Sequence, residues 1–305
     1  MHHSGENDPS KAERAPLDFE VELQNILERY PELAEKIQSS LKTPQLGAYH
    51  NEGRTMESHL RLIVKTLDDV GSGKMHEIVE ARSELVEKMC ALVLTSDENG
   101  PEQSRINPEL IDYAFLHDIS KQDCLTLKVE GEKLGREVTW GEWQEIAQQG
   151  EPYVVNGKPI VSVSYYHQSK GEEGQHGNKG AALLKAVDIP SYIRTAISKH
   201  EVAYQFSKTN ASTYEKHFVK SGLGENEQLF VLIASYVDTM SSLTKDGTPD
   251  LKNYRHLLQS RDNYLLIQSY LDRGATFREN DLGFLKKQDK VLLPEDIERF
   301  IQNPY

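Results

Sequence analysis

The sequence predicts a mostly α protein: a bundle of helices that carries one small β-hairpin insertion. Three observations carry this expectation. Apolar residues recur at helical spacing, as in Phe19, Leu23, Ile26 and Leu27, and again in Met56, Leu60, Ile63, Val64 and Leu67. The stretch NEQLFVLIASYVDTMSSL at 226–243 reads as a strongly apolar helix. Between 125 and 165 the helical pattern breaks, and EPYVVNGKPIVSVSYY sets Asn156-Gly157 between two apolar runs, a hairpin signal.

Taken in order, residues 1–16 are polar and read as a mobile N-terminus, in which His2 and His3 are given no role. Helical spacing runs from Leu17 to about Leu41, broken near Pro31. The segment TPQLGAYHNEGRT is a loop by its Pro, Gly and Asn content. Thr55 precedes the next helix, and a further long helix is expected over 77–94. Residues 95–107 read as a loop, and Asn107-Pro108 opens a helix with proline in its first turn. In the insertion, VTWGEW also reads as β-like. GEEGQHGNKG reads as a flexible glycine-rich loop that leads into AALLKAVD, and Pro190 opens a helix to about Tyr204. Helical patterns continue at 251–272 and 293–302, and FLKKQDK reads as a solvated turn. The expected organisation is one domain over 17–245 with the insertion at 125–170. The helices of 246–305 either pack on that domain or make a homodimer contact.

The chain has 305 residues, 37% of them hydrophobic and 27% charged, enough for a real core. A formal net charge of -13 argues against broad binding to nucleic-acid backbones. No run of apolar residues is long enough for a membrane span, and the N-terminus lacks the apolar core of a signal peptide. Cys90 and Cys124 give no disulfide framework, so a cytoplasmic location is expected and any metal site must rest on histidines and carboxylates.

Two apolar helices carry ionisable residues where the pattern predicts burial: His117 and Asp118 in LIDYAFLHDIS, and Asp238 in LFVLIASYVDTM. A buried, unpaired carboxylate is costly, so it pairs with a cation, shifts its pKa or binds a metal. His59, His176 and His200 each follow a segment with a core-facing pattern. Four histidines and two aspartates form a nitrogen and oxygen ligand set without thiolate, suited to Fe, Mn, Co, Ni, Zn or Mg.

This ordered set resembles the HD-domain superfamily of metal-dependent phosphohydrolases, whose helices carry H … HD … D with two further histidines between HD and D in many members. AFLHDISK is similar to the common LLHDIGK, with Ser120 where glycine is frequent. YHNEGRTMESHL resembles the approach to the first ligand, HGNKGAALL a later ligand segment, and ISKHE the last histidine. The resemblance covers roughly residues 45–245. It implies an HD-domain helical bundle holding one or two divalent ions, iron or manganese first. His59, His117, Asp118 and Asp238 would hold one, and Asp118, His176 and His200 the second, with Asp118 bridging. His176 could instead contact substrate phosphate, His200 could lie behind the ligands, and His167 and His50 compete as ligands.

The implied activity is hydrolysis of a nucleotide or other small phosphate ester by a metal-activated water. Lys121, three residues past Asp118, is expected to hold a phosphate oxygen or to serve the helix end. Arg54 and Lys179 are further candidates for phosphate contact. Glu201 and Asp123 could shuttle protons or be solvated charges. The insertion's aromatics Trp140, Trp143, Tyr153, Tyr165 and Tyr166 could stack on a base or form the insertion's own core. Two rivals remain open: an HD-domain oxygenase with a binuclear iron centre, and a non-catalytic signalling module.

Overall fold

The structure is a computed structural model that describes residues 15–47, 50–72, 74, 83–97 and 100–302. It is mostly helical with small antiparallel sheets. The expected mobile N-terminus lies almost wholly outside the described residues.

The chain enters through α1 (Phe19–Arg29), capped by Asp18, whose carboxylate accepts from the Glu20 and Val21 amides. A short turn at Pro31 leads to α2 (Ala34–Ser40). Then α3 (Met56–Gly71) buries one long face, including His59, Leu60, Ile63, Val64 and Leu67. Of the helix expected over 77–94, α4 (Ser83–Val93) is seen, and residues 75–82 lie outside the described set.

The expected loop at 95–107 is instead a hairpin: β1 (Leu94–Asp97) pairs antiparallel with β2 (Gly100–Ile106), Leu94 opposite Ile106. It extends directly from α4. Asn107 then caps α5 (Pro108–Leu116) through the Glu109 amide, with Pro108 in the first turn as expected.

The insertion is a four-stranded sheet plus one helix. Its strands β3 (Thr126–Val129), β4 (Arg136–Glu137), β5 (Val154–Val155) and β6 (Lys158–Ser164) lie in the order β4-β3-β6-β5. Asn156 and Gly157 have φ of 52° and 76°, the left-handed pair that a two-residue hairpin turn requires. VTWGEW is not a strand. Trp140–Gln148 forms α6, started by a capping box between Thr139 and Glu142, whose three-residue spacing outweighs the β propensity of its tryptophans. Leu125, Leu127, Val138, Trp143, Ile146 and Val163 give the insertion its own core.

The bundle resumes with α7 (His176–Leu183), α8 (Ser191–Lys199), the short α9 (Ala211–Tyr214) and α10 (Glu225–Ser241). Helix α10 is buried almost all round from Leu229 to Thr239 and packs against α3, α4, α5 and α8. Helix α11 (Lys252–Asp272) lies against α9 and α10. With α12 (Glu279–Lys286) and α13 (Pro294–Glu298) it closes a separate apolar cluster around Ile267, Leu285, Leu292 and Ile297. The FLKKQDK segment therefore begins as helix, with Leu285 buried, and only its second half is a turn. No helix among the described residues is long and apolar enough to cross a membrane.

Candidate metal centre

Five helices deliver one polar cluster into the bundle. His59 comes from the first turns of α3. His117 caps the C-terminus of α5 and Asp118 follows it. His176 is the first residue of α7, His200 caps the C-terminus of α8, and Asp238 sits in the last turn of α10. All six are buried, none more than 5% exposed. His176 was expected in a flexible loop; the structure makes it the start of a helix.

The orientation of the imidazoles follows from their Nδ1 atoms, each beside a backbone carbonyl. A carbonyl only accepts, so each Nδ1 must carry the hydrogen. His117 donates to Ala114 O (2.9 Å), His200 to Ile197 O (2.7 Å), His176 to Tyr165 O (3.2 Å) and His59 to Ser241 O (3.1 Å). In their neutral forms all four rings therefore turn a bare Nε2 inward.

Those Nε2 atoms meet the two carboxylates. His59 Nε2 lies 3.2 Å from Asp238 Oδ1, and His117 Nε2 lies 3.7 Å from the same oxygen. Asp118 divides its oxygens: Oδ2 lies 2.9 Å from His117 Nε2, while Oδ1 lies 3.1 Å from His176 Nε2 and 3.5 Å from His200 Nε2. The result is two buried triads, His59–His117–Asp238 and Asp118–His176–His200, each with ligand atoms within 4.8 Å of one another.

His117 Nε2 and both Asp118 oxygens are buried with no hydrogen-bond partner. The Nε2 atoms of His176 and His200 stand 3.0 Å apart, lone pair facing lone pair unless a cation or proton lies between them. Orphaned acceptors converging from several elements are the donor set of a metal site. These residues could hold a metal ion, and His and carboxylate donors leave its identity open.

The electrostatics agree. Burial alone would raise the Asp118 carboxyl, but His117 and Lys121 outweigh it and hold the group well below the ordinary range. Asp238 is likewise driven up by burial and brought down further by its hydrogen bond with His59. Burial pulls His59 down, yet the bonds to Asp238 and Glu52 raise it to about 9. His176 is pulled down by burial and raised overall by Glu201 and Asp118, whereas burial and then His176 lower His200.

Lys121 is buried with the cluster. Its Nζ lies 2.7 Å from Asp118 Oδ2, off the hydrogen-bond line, and 4.6 Å above the Tyr165 ring. The other candidate cations are engaged elsewhere: Arg54 pairs with Glu151 of the insertion at the surface, and Lys179 donates to the Asp123 carbonyl. Asp123 itself pairs with Lys36. His167 meets the Leu125 carbonyl and joins neither triad. Trp143 and Tyr153 pack on each other inside the insertion, while Tyr165 reaches the His176 ring at 5.8 Å.

Sequence reasoning missed Glu52. Its Oε1 accepts from His50 Nδ1 (2.9 Å) and His59 Nδ1 (3.2 Å), and its Oε2 accepts from the Leu243 amide (3.1 Å). Those bonds outweigh burial, which alone would raise it, and bring its carboxyl down to about 2. The only signal was a His-x-Glu in the loop before α3. No family model, curated protein or solved structure matched the chain in comparison.

Proposed function

We propose that the chain is a metal-dependent phosphohydrolase of the HD-domain type, acting on a small phosphate ester. The observation that carries the reading is the division of Asp118, one oxygen toward each triad. The order of the six residues along the chain, H … HD … H … H … D, is the pattern whose resemblance implies a two-ion centre.

When bound, divalent ions neutralise phosphate oxygens and bring the pKa of a coordinated water toward about 7, which supplies a nucleophile at neutral pH. The protein's part is orientation. Backbone carbonyls at Ala114, Tyr165, Ile197 and Ser241 fix the four rings in one tautomer, so little reorganisation is needed on binding. Lys121 adds a positive charge beside Asp118, where a phosphate oxygen would be bound. The buried walls keep bulk water out, which strengthens each of these contacts. In the overall reaction water oxygen joins phosphorus, the ester P–O bond breaks, and the departing alcohol takes up a proton.

The test is release of inorganic phosphate from a panel of phosphate monoesters by iron- or manganese-loaded protein, with oxygen uptake followed in parallel. Phosphate release that Asp118→Ala abolishes supports the reading. Iron-dependent oxygen uptake without ester hydrolysis would replace it with an oxygenase, and neither activity together with no metal uptake would point to a signalling module.

A further inference from the structure

A cavity of about 370 Å3 lies beside the candidate metal centre, with His50 and Tyr165 between it and the six clustered residues, none of which lines it. Its wall includes His50, Tyr165, Tyr204, Glu201, Asp250 and Asn253. His50 ties it to the first triad, its ring 5.7 Å from His59, and Tyr165 ties it to the second through His176. The cavity is thus where the part of a substrate away from the reacting phosphate would lie.

Its chemistry is opposite in sign to that of a phosphate pocket. Two carboxylates, Glu201 and Asp250, line it, and no lysine or arginine does among the described residues. Lys121 is held apart on Asp118. An anionic group placed there would meet like charge, and a purely apolar group would cover two carboxylates that solvent now reaches without offering them a partner. A primary ammonium satisfies both: it pairs with the carboxylates and lies near Tyr204, the tyrosine of the wall whose ring does not already carry Lys121. The volume lies at the small end of ligand pockets, which span about 300–1,000 Å3, so a short chain fits better than a nucleoside polyphosphate.

We infer that the substrate is a phosphate monoester of a short amino alcohol, its protonated amine bound between Glu201 and Asp250 and its phosphate at the metal centre. This inference rests on the proposed phosphohydrolase reading and narrows it. It turns the general expectation of a nucleotide or other ester into one charge pattern: anion at the buried end, cation at the cavity end.

The test compares O-phosphoethanolamine with propyl phosphate, which puts a methyl group in place of the ammonium, on the full-length manganese-loaded protein. Kd is read by titration calorimetry, or KM where the ester is turned over, and phosphate release is assayed in the same samples. The amine ester is expected to bind about tenfold more tightly. The Glu201→Gln/Asp250→Asn double variant is expected to erase that preference, read as the ratio of the two esters within the variant, because Glu201 also acts on His176 and a change at the metal centre would move both esters alike. Both positions are exposed, and a thermal melt confirms that the variant is folded. Equal binding of the two esters, a preference that survives in the double variant, or no binding of either overturns the inference. A clear amine preference with no phosphate released from either ester would instead defeat the phosphohydrolase reading and leave the ammonium site standing.

Discussion

His176 and His200 point their Nε2 atoms at each other across 3.0 Å while both Nδ1–H groups are committed to backbone carbonyls. Two neutral imidazoles held this way repel, and neither can flip without abandoning its carbonyl. A cation between them turns the repulsion into binding. His200→Ala is therefore expected to cost the Asp118–His176–His200 triad its ion, and to leave the His59–His117–Asp238 triad able to bind. Metal content of the variant, measured against wild type by elemental analysis, checks this; loss of all metal would show that the triads do not act separately.

The contact depends on Gly177. A Cβ at that position would lie 2.8 Å from Ile197 O and 3.1 Å from the His200 ring, and the first of these is backbone that cannot swing away. Gly177→Ala should push α7 from α8, with a stability loss of about 1–3 kcal/mol for the overpacking. It should weaken the same triad as His200→Ala without removing a ligand. Denaturant melts with and without manganese would show it as a smaller metal-induced stabilisation than in wild type.

Glu52 should act at a distance from the metal by holding His59. Loss of such a partner typically lowers metal affinity about 10–100-fold. Glu52→Gln keeps the shape but loses the charge, so calorimetric titration with manganese should show a drop in that range. Unchanged affinity would reduce Glu52 to a loop anchor for the Leu243 amide.

The same residue gives a pH dependence in the metal-free protein. Its carboxyl is depressed from 4.5 to about 2 on folding, so it contributes stability at pH above its unfolded value. That contribution declines as pH falls from about 4.5 toward 2, and amounts to roughly 1–3 kcal/mol at neutral pH. The melting-temperature gap between wild type and Glu52→Gln should be widest near pH 6–7 and should shrink on acidification. A gap that widens in acid would contradict the sign.

Away from the site, Asp112 is a buried carboxylate that accepts from the Tyr30 hydroxyl at 2.8 Å and pairs with Arg29. Burial raises its carboxyl overall, despite these donors. Tyr30→Phe should destabilise the fold by about 1–3 kcal/mol, the penalty for a buried acceptor that loses its donor, with metal binding intact.

What was legible in the sequence was local. Asn107-Pro108 and Asn156-Gly157 fix their turns through backbone chemistry that needs no distant partner, and both are found where expected. Met56 to Leu67 kept its helical stripe because the stripe faces the core. The hairpin at 94–106 was missed because its polar residues show no alternation; what the fold adds is the antiparallel backbone pairing of Leu94 with Ile106 and Thr95 with Arg105. His176 was placed in a loop because glycines there suggest flexibility. Their use is contact: Gly177 and Gly180 face Ile197 on the neighbouring helix. His117, Asp118 and Asp238 stood out because each violates the apolar pattern around it, and His59, His176 and His200 joined them only as histidines that follow core-facing segments. Glu52 did not, since it lies in a polar loop and its partners His59, Ser241 and Leu243 come together only in the fold.

Metal content decides between these outcomes: protein is purified without chelator, then stripped and reloaded with iron or manganese. The two triads predict about two ions per chain in the wild type, and loss of both in Asp118→Ala, whose carboxylate faces each. A folded wild-type chain that takes up no ion after reloading would show that the two triads are not a metal centre.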